Sequence, residues 1–403
     1  MSRLLHSTRT SISGRIRRMK AYLDNMATTP LDPRVGDYIS SLVERALGNP
    51  HAALHAQGRE AGAVLAEARA SVAASIGARP EEIRFAPSAT IADNVAILGL
   101  ARARIRRGRH ILVSSIEHPA VLLAARHLAA EEGFEVEEIP VGRDGIVDPA
   151  SVMSLLRPDT TLVSVMAVNN EIGTVQPISE IAKVLEGSKA FFHTDASQAP
   201  GRIAIEFAHA VDLMTLSSHK VHGPKGAAAL FIRRRRDINI KPVFFGGGQE
   251  DALFPGTVNV LAAAGFGRAM ELAVASREAD WPRIDGMSRR LVEGIVDLLP
   301  GSRPVGDRGR AVPHCVSITI NGVSGEAFVS RLARVGVAVS IGSACHGDPA
   351  SPSHVLVATG LSPAEARGTV RFGMGRFTTT EEIDYTLEQV RTVAAELARP
   401  VQI

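Results

Sequence analysis

The sequence predicts an α/β protein, with a large domain built on a mostly parallel, mixed sheet and a smaller α+β domain after it. From residue 22 onward, short apolar runs alternate with amphipathic helical segments, which is typical of a parallel sheet covered by helices on both faces. Near Leu272 this alternation gives way to a long helix and then to strands and helices in mixed order. At 403 residues, 45% of them hydrophobic and 22% charged, the chain is long enough for two such domains.

The large domain is expected to span residues 31–273, and its core is predicted by five apolar runs. Each run is short and lies among helical segments, as expected of buried strands. The predicted strands cover residues 111–113, 161–167, 190–193, 213–216 and 227–232. The clearest helices among them cover residues 120–132 and 178–185.

The smaller domain is expected to combine residues 21–30 with residues 274–403. Its predicted elements are a helix over 272–298, strands over 315–320 and 337–340, a helix near 364–367, a strand over 369–372 and a C-terminal helix over 380–397. Residues 1–20 carry five arginines and no acid, a composition that matches an organellar transit peptide. We favour the simpler interpretation of a disordered basic leader, or of a true start at Met19.

Composition narrows the function classes. The apolar runs are too short and too often broken by charge to span a bilayer, so no membrane partner is expected. The net charge is +3, and the pI of 9.1 reflects 39 arginines against six lysines rather than a basic stripe, so direct nucleic-acid binding is not expected. Two cysteines, Cys315 and Cys345, make no disulfide framework, which favours a reducing, cytoplasmic location. No metal site is expected.

One of the six lysines, Lys220, closes the run Ser-Ser-His-Lys directly after a predicted strand. Asp195 stands upstream, at the end of another apolar stretch. A pyridoxal phosphate enzyme needs this pair, because the cofactor's aldehyde forms a Schiff base with a lysine and its ring nitrogen needs a carboxylate. The other lysines lie in the N-terminal extension, on a polar helix face, in turns or shortly after a run of arginines. Lys220 is therefore the best candidate.

Three further segments place polar residues after strands, where ligands bind in open α/β sheets. The run Ser88-Ala89-Thr90 opens a helix and could offer N–H groups to a phosphate, although taken alone a plain N-cap explains it better. His118 could stack on a flat ring and pass protons, or simply cap a helix. Asn170 could hold a substrate carboxylate or a ring oxygen, or owe its place to turn propensity.

Cys345 lies in a run rich in Gly, Pro and Ser over residues 343–352, which predicts an exposed, mobile loop. Free cysteines are usually buried, as we expect Cys315 to be within its predicted strand. An exposed Cys345 has two explanations that account for it about equally well. It could carry out thiolate chemistry, favoured by the adjacent His346, or it could be an incidental surface thiol.

Taken in order, these segments resemble the cysteine desulfurases, class V pyridoxal-phosphate enzymes with the fold of aspartate aminotransferase (PLP fold type I). The resemblance covers about residues 20–397, and its motifs keep the family's order and spacing. They are Leu-Asp-Asn-Met-Ala-Thr-Thr-Pro at 23–30, Val-Asn-Asn-Glu-Ile-Gly at 168–173, Asp-Ala-Ser-Gln at 195–198, Ser-His-Lys at 218–220, Gly-Pro-Lys-Gly at 223–226, Gly-Gly-Gly-Gln-Glu at 246–250, Gly-Thr at 256–257, Gly-Ser-Ala-Cys at 342–345, Arg-Phe at 371–372 and Gly-Arg-Phe-Thr at 375–378. The long segment around Cys345 resembles the subgroup with a mobile cysteine loop, which serves iron–sulfur assembly and tRNA thiolation.

The resemblance implies a homodimer that converts L-cysteine to L-alanine and passes the sulfur, as a persulfide on Cys345, to an iron–sulfur scaffold or a thiolation enzyme. It implies that Lys220 binds pyridoxal 5'-phosphate as a Schiff base and that Asn170 and Arg371 orient the substrate, with Arg371 gripping its carboxylate. The other implied cofactor contacts are Asp195 at the ring nitrogen, Gln198 at the ring hydroxyl, His118 stacked on the ring, and Ala89, Thr90, Ser217, His219 and, from the other subunit, Thr257 at the phosphate.

The chain also departs from the family pattern at several positions, none of which removes a catalytic group. The departures are Pro87 and Ser88 before the Ala-Thr pair, Ile91 after it, Met26 in place of Ala or Ser, Ile341 in place of Ser, and Gly373-Met374 in place of Ser-Leu. Together they predict a divergent branch that serves a specialised thiolation pathway rather than general cluster assembly.

Two rival functions stay open at this point. A class V aminotransferase or lyase, including a selenocysteine lyase, would need Lys220, Asp195 and Arg371 but not Cys345. A catalytically degenerate scaffold would keep the fold and the partner surface without chemistry, although an intact Lys220 argues against it.

Overall fold

The computed structural model describes residues 20–234, 237–342 and 351–397. Its strands are β1 (Ala21–Tyr22), β2 (Ile83–Ala86), β3 (His110–Ser114), β4 (Glu135–Ile139), β5 (Thr160–Ser164), β6 (Phe191–Asp195), β7 (Leu213–Ser217), β8 (Ala228–Ile232), β9 (Arg303–Pro304), β10 (Cys315–Thr319), β11 (Val337–Ala338), β12 (Ser340–Ile341) and β13 (Thr369–Gly373). Its α-helices are α1 (Pro33–Ser41), α2 (Ala56–Ser75), α3 (Ala89–Asn94), α4 (Leu100–Arg104), α5 (Pro119–Glu132), α6 (Pro149–Leu155), α7 (Ile178–Val184), α8 (Val260–Leu298), α9 (Gly325–Arg334), α10 (His354–Ala358), α11 (Pro363–Arg367) and α12 (Thr380–Leu397). The leader and the loop expected around Cys345 fall outside the described residues.

The central sheet has seven strands in the order β2-β8-β7-β6-β5-β3-β4. Every neighbouring pair is parallel except the two pairs that β8 makes, with β2 and with β7. Strands β3, β5, β6 and β7 are buried along their whole length, as their apolar runs predicted, because both faces of a parallel sheet are covered. The predicted α/β fold is confirmed. The carboxyl ends of its parallel strands meet at one edge, and the polar loops lie there.

Helix α8 passes from the core of the central sheet into a second core. Val260 and Phe266 pack in the first core, whereas Ile284 packs in the cluster around the smaller sheet. The helix begins at Val260 and not, as expected, near Leu272, and Asn259 caps its start. The prediction missed residues 260–271 because they are small and apolar nearly all round and lack the polar face that marks an amphipathic helix.

The smaller part of the fold has an antiparallel sheet in the order β12-β13-β10-β9 and a separate parallel pair, β1-β11. The single strand expected over residues 337–340 is split at Val339, because β11 pairs with β1 and β12 pairs with β13. The β1-β11 pairing supports the assignment of residues 21–30 to the smaller domain. The domain limits themselves stay a prediction.

Within the described ranges, no helix is both long and apolar enough to span a bilayer. The same residues include no group of three or more His, Cys, Asp or Glu side chains arranged to hold a metal ion.

Candidate active site

A cavity of about 230 Å³ lies at the carboxyl ends of the central strands. Nine residues proposed from the sequence line it together: Ala89, Thr90, His118, Asn170, Asp195, Gln198, Ser217, His219 and Lys220. Ser88, from the same run as Ala89 and Thr90, lines it too, and residues without a proposed role complete the lining: Ala27, Asp93, Met166, Val168 and Ser197. The fold therefore brings together side chains that are spread over more than a hundred residues of sequence.

Lys220 reaches the cavity from a short 3₁₀ turn that directly follows β7. Its Nζ donates hydrogen bonds to the backbone carbonyls of Met26, at 2.8 Å, and Ala27, at 2.9 Å. The segment after β1 thus forms one wall of the site. Two carbonyl acceptors at this distance stabilise the protonated amine and hold it in a defined place.

Asp195 is the last residue of β6, and its Oδ1 accepts a hydrogen bond from the Ser197 N–H at 2.8 Å. Asp93 lines the same cavity, and the pKa of this fully buried carboxyl is raised first by burial and then by the charge of Asp195. His193 Nε2 lies 3.6 Å from Asp93 Oδ1, and burial lowers the pKa of His193 to about 4. A raised pKa favours the neutral form of Asp93, which adds less negative charge beside Asp195 than a carboxylate would.

His118 is both a helix cap and a cavity residue. Its Nδ1 accepts a hydrogen bond from the Ala120 N–H at 3.1 Å at the start of α5. Because Nδ1 acts as the acceptor, the proton of the neutral ring lies on Nε2. The cap proposed as the simpler explanation is present, and it fixes the ring that lines the cavity.

Glu117, next to His118, is a buried carboxyl to which the sequence analysis gave no role. Its Oε1 accepts hydrogen bonds from Ser114 Oγ and from the Met166 N–H, both at 2.6 Å. Burial raises the pKa of Glu117 to about 8. This carboxyl joins the end of β3 to the end of β5 and so supports the loop that presents His118. The sequence carries no local signal for this role, because three residues separate Glu117 from the apolar run at 111–113 and its partner Met166 is distant in the sequence.

The other end of the cavity is formed by the start of α3. Ser88 caps the helix by accepting a hydrogen bond from the Ile91 N–H at 3.3 Å, so the simpler N-cap explanation is also correct. The first N–H groups of a helix lack intrahelical acceptors and favour an anion. His219 also lines the cavity; its Nδ1 is 3.1 Å from Thr28 Oγ1, and burial lowers its pKa to about 4.

Arg371 stands beside the cavity, on β13, and is 2% exposed. Its Nη1 donates to the Asn170 carbonyl at 2.9 Å, and its Nη2 donates to Asp24 Oδ1 at 3.0 Å. Its Nε is buried and has no hydrogen-bond partner among the described residues. Asp24, which the sequence analysis missed although it lies in the first motif, therefore orients the guanidinium and leaves an N–H donor for a ligand.

Two proposed residues do not join this constellation. Thr257 lines a different, largely apolar cavity of about 490 Å³, together with Phe244 and Phe254. Cys345 lies outside the described residues. Cys315 is buried in β10 as expected, and burial raises the pKa of its thiol to about 11, which makes it a poor nucleophile.

The residues present fit pyridoxal phosphate. This cofactor needs an amine for its aldehyde, a carboxylate at its ring nitrogen, and N–H donors for its phosphate. Lys220, Asp195 and the start of α3 supply these groups in one cavity. Gln198 Nε2 donates to the Met26 carbonyl at 2.9 Å, while its buried Oε1 has no partner within the described ranges. A buried acceptor of this kind is left for a hydroxyl group on a ligand.

Known proteins similar to this chain agree with the assignment of the cavity as a pyridoxal phosphate site. Residues 21–386 match the model of the aminotransferase class-V family. A cysteine desulfurase of Homo sapiens is 44% identical over 91% of this chain and 80% of its own length. A relative from Arthroderma benhamiae, named as a mitochondrial cysteine desulfurase, is 43% identical over 92% of this chain and 73% of its own length. A solved NifS-like protein superposes with a TM-score of 0.87 at 33% identity, over 94% of this chain and all of that one.

These relatives overturn one expectation from the sequence. The cytoplasmic location is wrong, because several of the relatives are named as mitochondrial enzymes. A small number of cysteines argues against a disulfide-rich secreted protein, but it does not distinguish one reducing compartment from another. By its sequence, its fold and its cavity, this chain belongs to the aminotransferase class-V family and, within it, to the pyridoxal-phosphate-dependent cysteine desulfurases.

Proposed function

We propose that this desulfurase carries the sulfur of L-cysteine as a persulfide on Cys345 and that the cavity around Lys220 is the place where L-cysteine reacts. The observation that carries the proposal is the convergence of Lys220, Asp195 and His118 on one cavity, with Arg371 beside it. Pyridoxal phosphate, when bound, draws electrons from the substrate Cα. The remaining chemistry is divided among the residues of the chain.

Lys220 is proposed as the base that removes the Cα proton. Its amine becomes an ammonium when it takes the proton, and the carbonyls of Met26 and Ala27 are positioned to stabilise that charge. Asp195 is proposed to supply a negative charge at the cofactor's ring nitrogen, and the raised pKa of the neighbouring Asp93 favours a neutral form that opposes this charge less.

Arg371 is proposed to bind the substrate carboxylate, held in place by Asp24 and by the carbonyl of Asn170. A guanidinium fixed on two sides loses little conformational freedom when a carboxylate binds to its remaining N–H groups. His118 is proposed to stack on the cofactor ring and to move a proton through Nε2, since Nδ1 is engaged by the helix.

Cys345 is proposed as the sulfur acceptor. Its thiolate attacks the substrate sulfur, so that an S–S bond forms while the bond between sulfur and Cβ breaks, and a proton completes the product L-alanine. The persulfide sulfur then passes to a protein of iron–sulfur cluster assembly or of a thiolation pathway. A mitochondrial compartment is proposed as well, which the names of the relatives and the basic composition of residues 1–20 support.

We also propose that the enzyme is a homodimer. The support is the apolar cavity around Thr257, beside which Phe245 is 91% exposed. Such a surface is suited to a second copy of the chain, and the implied contact of Thr257 with the phosphate requires one.

Phe245→Asp should shift the protein from dimer to monomer, because the new charge would be buried in the interface. Sedimentation velocity at several concentrations measures the shift, and titration with pyridoxal phosphate should show weaker binding by the monomer. Met153→Asp is the matched control, since Met153 is 62% exposed on α6, outside this surface. A monomeric wild type, or a dimeric Phe245→Asp variant with unchanged cofactor affinity, would refute the proposal.

Asp195→Asn should retain the cofactor and lose on the order of 10²-fold or more in the rate of alanine formation, because a neutral amide does not stabilise a charged ring nitrogen. Asp93→Asn is the matched control and should lose much less, since burial raises the pKa of Asp93 and favours its neutral form. Cofactor content is measured by absorbance and alanine by chromatography. Near-normal turnover in Asp195→Asn would reduce the aspartate to a structural role.

A further inference from the structure

Glu171 is a buried carboxyl that the proposed chemistry does not use. It is 3% exposed, and its Oε2 accepts a hydrogen bond from Ser353 Oγ at 2.6 Å. The same oxygen lies against Gly342, where an added Cβ would approach it to 2.6 Å. One carboxyl oxygen therefore touches the chain just before and just after the segment in which Cys345 lies.

Gly342 is connected to Arg371, the residue proposed to bind the substrate carboxylate. Gly342 directly follows β12, in which Ser340 pairs with Arg371 of β13. Glu171 follows Asn170, whose carbonyl accepts a hydrogen bond from Arg371 Nη1 at 2.9 Å. The start of the cysteine segment, the carboxyl of Glu171 and the proposed substrate arginine thus belong to one connected group.

The hydrogen bond from Ser353 to Glu171 fixes the chain after the segment that carries Cys345. Ser353 is 1% exposed and caps α10, accepting a hydrogen bond from the Leu356 N–H at 3.3 Å. Helix α10 buries Val355 and Leu356 in a cluster that includes Ile172, next to Glu171. The hydroxyl of Ser353 therefore has two functions, one as an N-cap and one as a donor to Glu171.

We propose that Glu171 is a positioning residue for the sulfur step, which contacts the chain at Gly342, before Cys345, and at Ser353, after it. Cys345 is three residues beyond Gly342, so its Cα stays within about 11 Å of the Gly342 Cα even at full extension. A shift of Gly342 consequently shifts the whole set of places that the Cys345 thiol can reach. The inference rests on the proposed role of Cys345 as sulfur acceptor.

A residue that only stabilises the fold would affect the kinetics differently from a positioning residue. Proton removal from the substrate Cα depends on Lys220, Asp195 and Arg371, whereas the persulfide step depends in addition on where Cys345 lies. If Glu171 only stabilised the fold, its loss would lower the rates of proton removal and of persulfide formation together. Loss of a positioning contact would slow persulfide formation and leave proton removal near its wild-type rate.

The test is the holoenzyme with Glu171→Ala, compared with Glu171→Gln. Exchange of the Cα proton of L-cysteine in D₂O is followed by NMR, and the persulfide on Cys345 by quenched-flow mass spectrometry. In Glu171→Ala, persulfide formation should be at least about tenfold slower, since a misplacement of about 1 Å can cost up to about 10²-fold. Exchange should stay near the wild-type rate. Glu171→Gln keeps an oxygen that accepts from Ser353 and should restore most of the rate.

Ser353→Gly provides a second variant if Glu171→Ala does not fold. It removes the donor to Glu171, while glycine remains an acceptable N-cap. Ser324→Gly is its matched control, because Ser324 caps α9 by accepting from the Ala327 N–H at 3.4 Å and is not a partner of Glu171. Slow persulfide formation in Ser353→Gly, with normal rates in Ser324→Gly, supports the inference.

The outcomes separate the inference from the proposed function. Wild-type sulfur found on a residue other than Cys345 would overturn both. Wild-type sulfur on Cys345 with unchanged persulfide formation in Glu171→Ala and Ser353→Gly would overturn the inference alone. An equal fall of both steps, or no recovery in Glu171→Gln, would show that Glu171 only stabilises the fold and would also overturn it.

Discussion

Lys220→Ala should abolish the conversion of L-cysteine to L-alanine and remove the visible absorbance that marks a lysine-linked cofactor. The side chain is proposed to have two roles, as the covalent anchor and as the base that takes the Cα proton from the substrate. Loss of proton transfer alone costs about 10²–10⁴-fold, and loss of the covalent anchor adds to it. The two backbone carbonyls that receive the amine keep their places but have no charge to stabilise.

Borohydride reduction followed by peptide mapping measures the linkage directly. In the wild type the reduced cofactor should be found on the peptide that contains Lys220, and in the variant on none. Lys225→Ala is the matched control, since Lys225 lies five residues later in an exposed turn and should keep both the absorbance and turnover. A trapped linkage that survives in Lys220→Ala would show that another lysine binds the cofactor.

Cys345→Ser should stop sulfur transfer while leaving the earlier chemistry in place. Substrate binding and Cα proton removal are assigned to Arg371, Asp195 and Lys220, whereas only the final step needs a thiolate. The variant should therefore exchange the Cα proton of L-cysteine with solvent, release no L-alanine and carry no persulfide. Proton exchange by NMR, alanine by chromatography and intact-protein mass spectrometry check the three outcomes.

Cys315→Ser is the control for that experiment, because Cys315 is the only other cysteine. Its thiol is buried, its Sγ donates to the Glu171 carbonyl at 3.2 Å, and its pKa is raised to about 11. The variant should keep turnover and lose about 1–2 kcal/mol of unfolding free energy, as usual for a polar change in a core. Desulfuration by Cys345→Ser at the wild-type rate would favour a lyase that frees sulfide without an enzyme thiol.

The strands of the central sheet were predictable because burial on both faces leaves continuous apolar runs. Examples are residues 213–216, which lie in β7, and residues 227–232, which contain β8. The start of α8 and the split between β11 and β12 were not predictable, because neither is decided locally. The helix start depends on packing inside the sheet's core, and the split depends on which strand each half pairs with.

The residues of the site also divide into those that the neighbouring sequence identifies and those that only distant contacts identify. Lys220, Asp195 and His118 could be selected because each has a chemically informative side chain at the end of an apolar run. Asp24, Glu117 and Glu171 could not be given roles in this way. Their importance comes from partners far away in the sequence, such as Arg371 for Asp24 and Ser353 for Glu171.

The contact between Lys220 and the Met26 carbonyl bears on how freely this protein can vary in evolution. The acceptor atom belongs to the main chain, and every amino acid supplies it. Methionine in place of the usual alanine or serine therefore changes how the neighbouring core is filled, where Met26 is fully buried, without removing the acceptor. A substitution at residue 26 therefore keeps the carbonyl that Lys220 contacts. For this reason, a departure from the family pattern at this residue does not indicate a change of function.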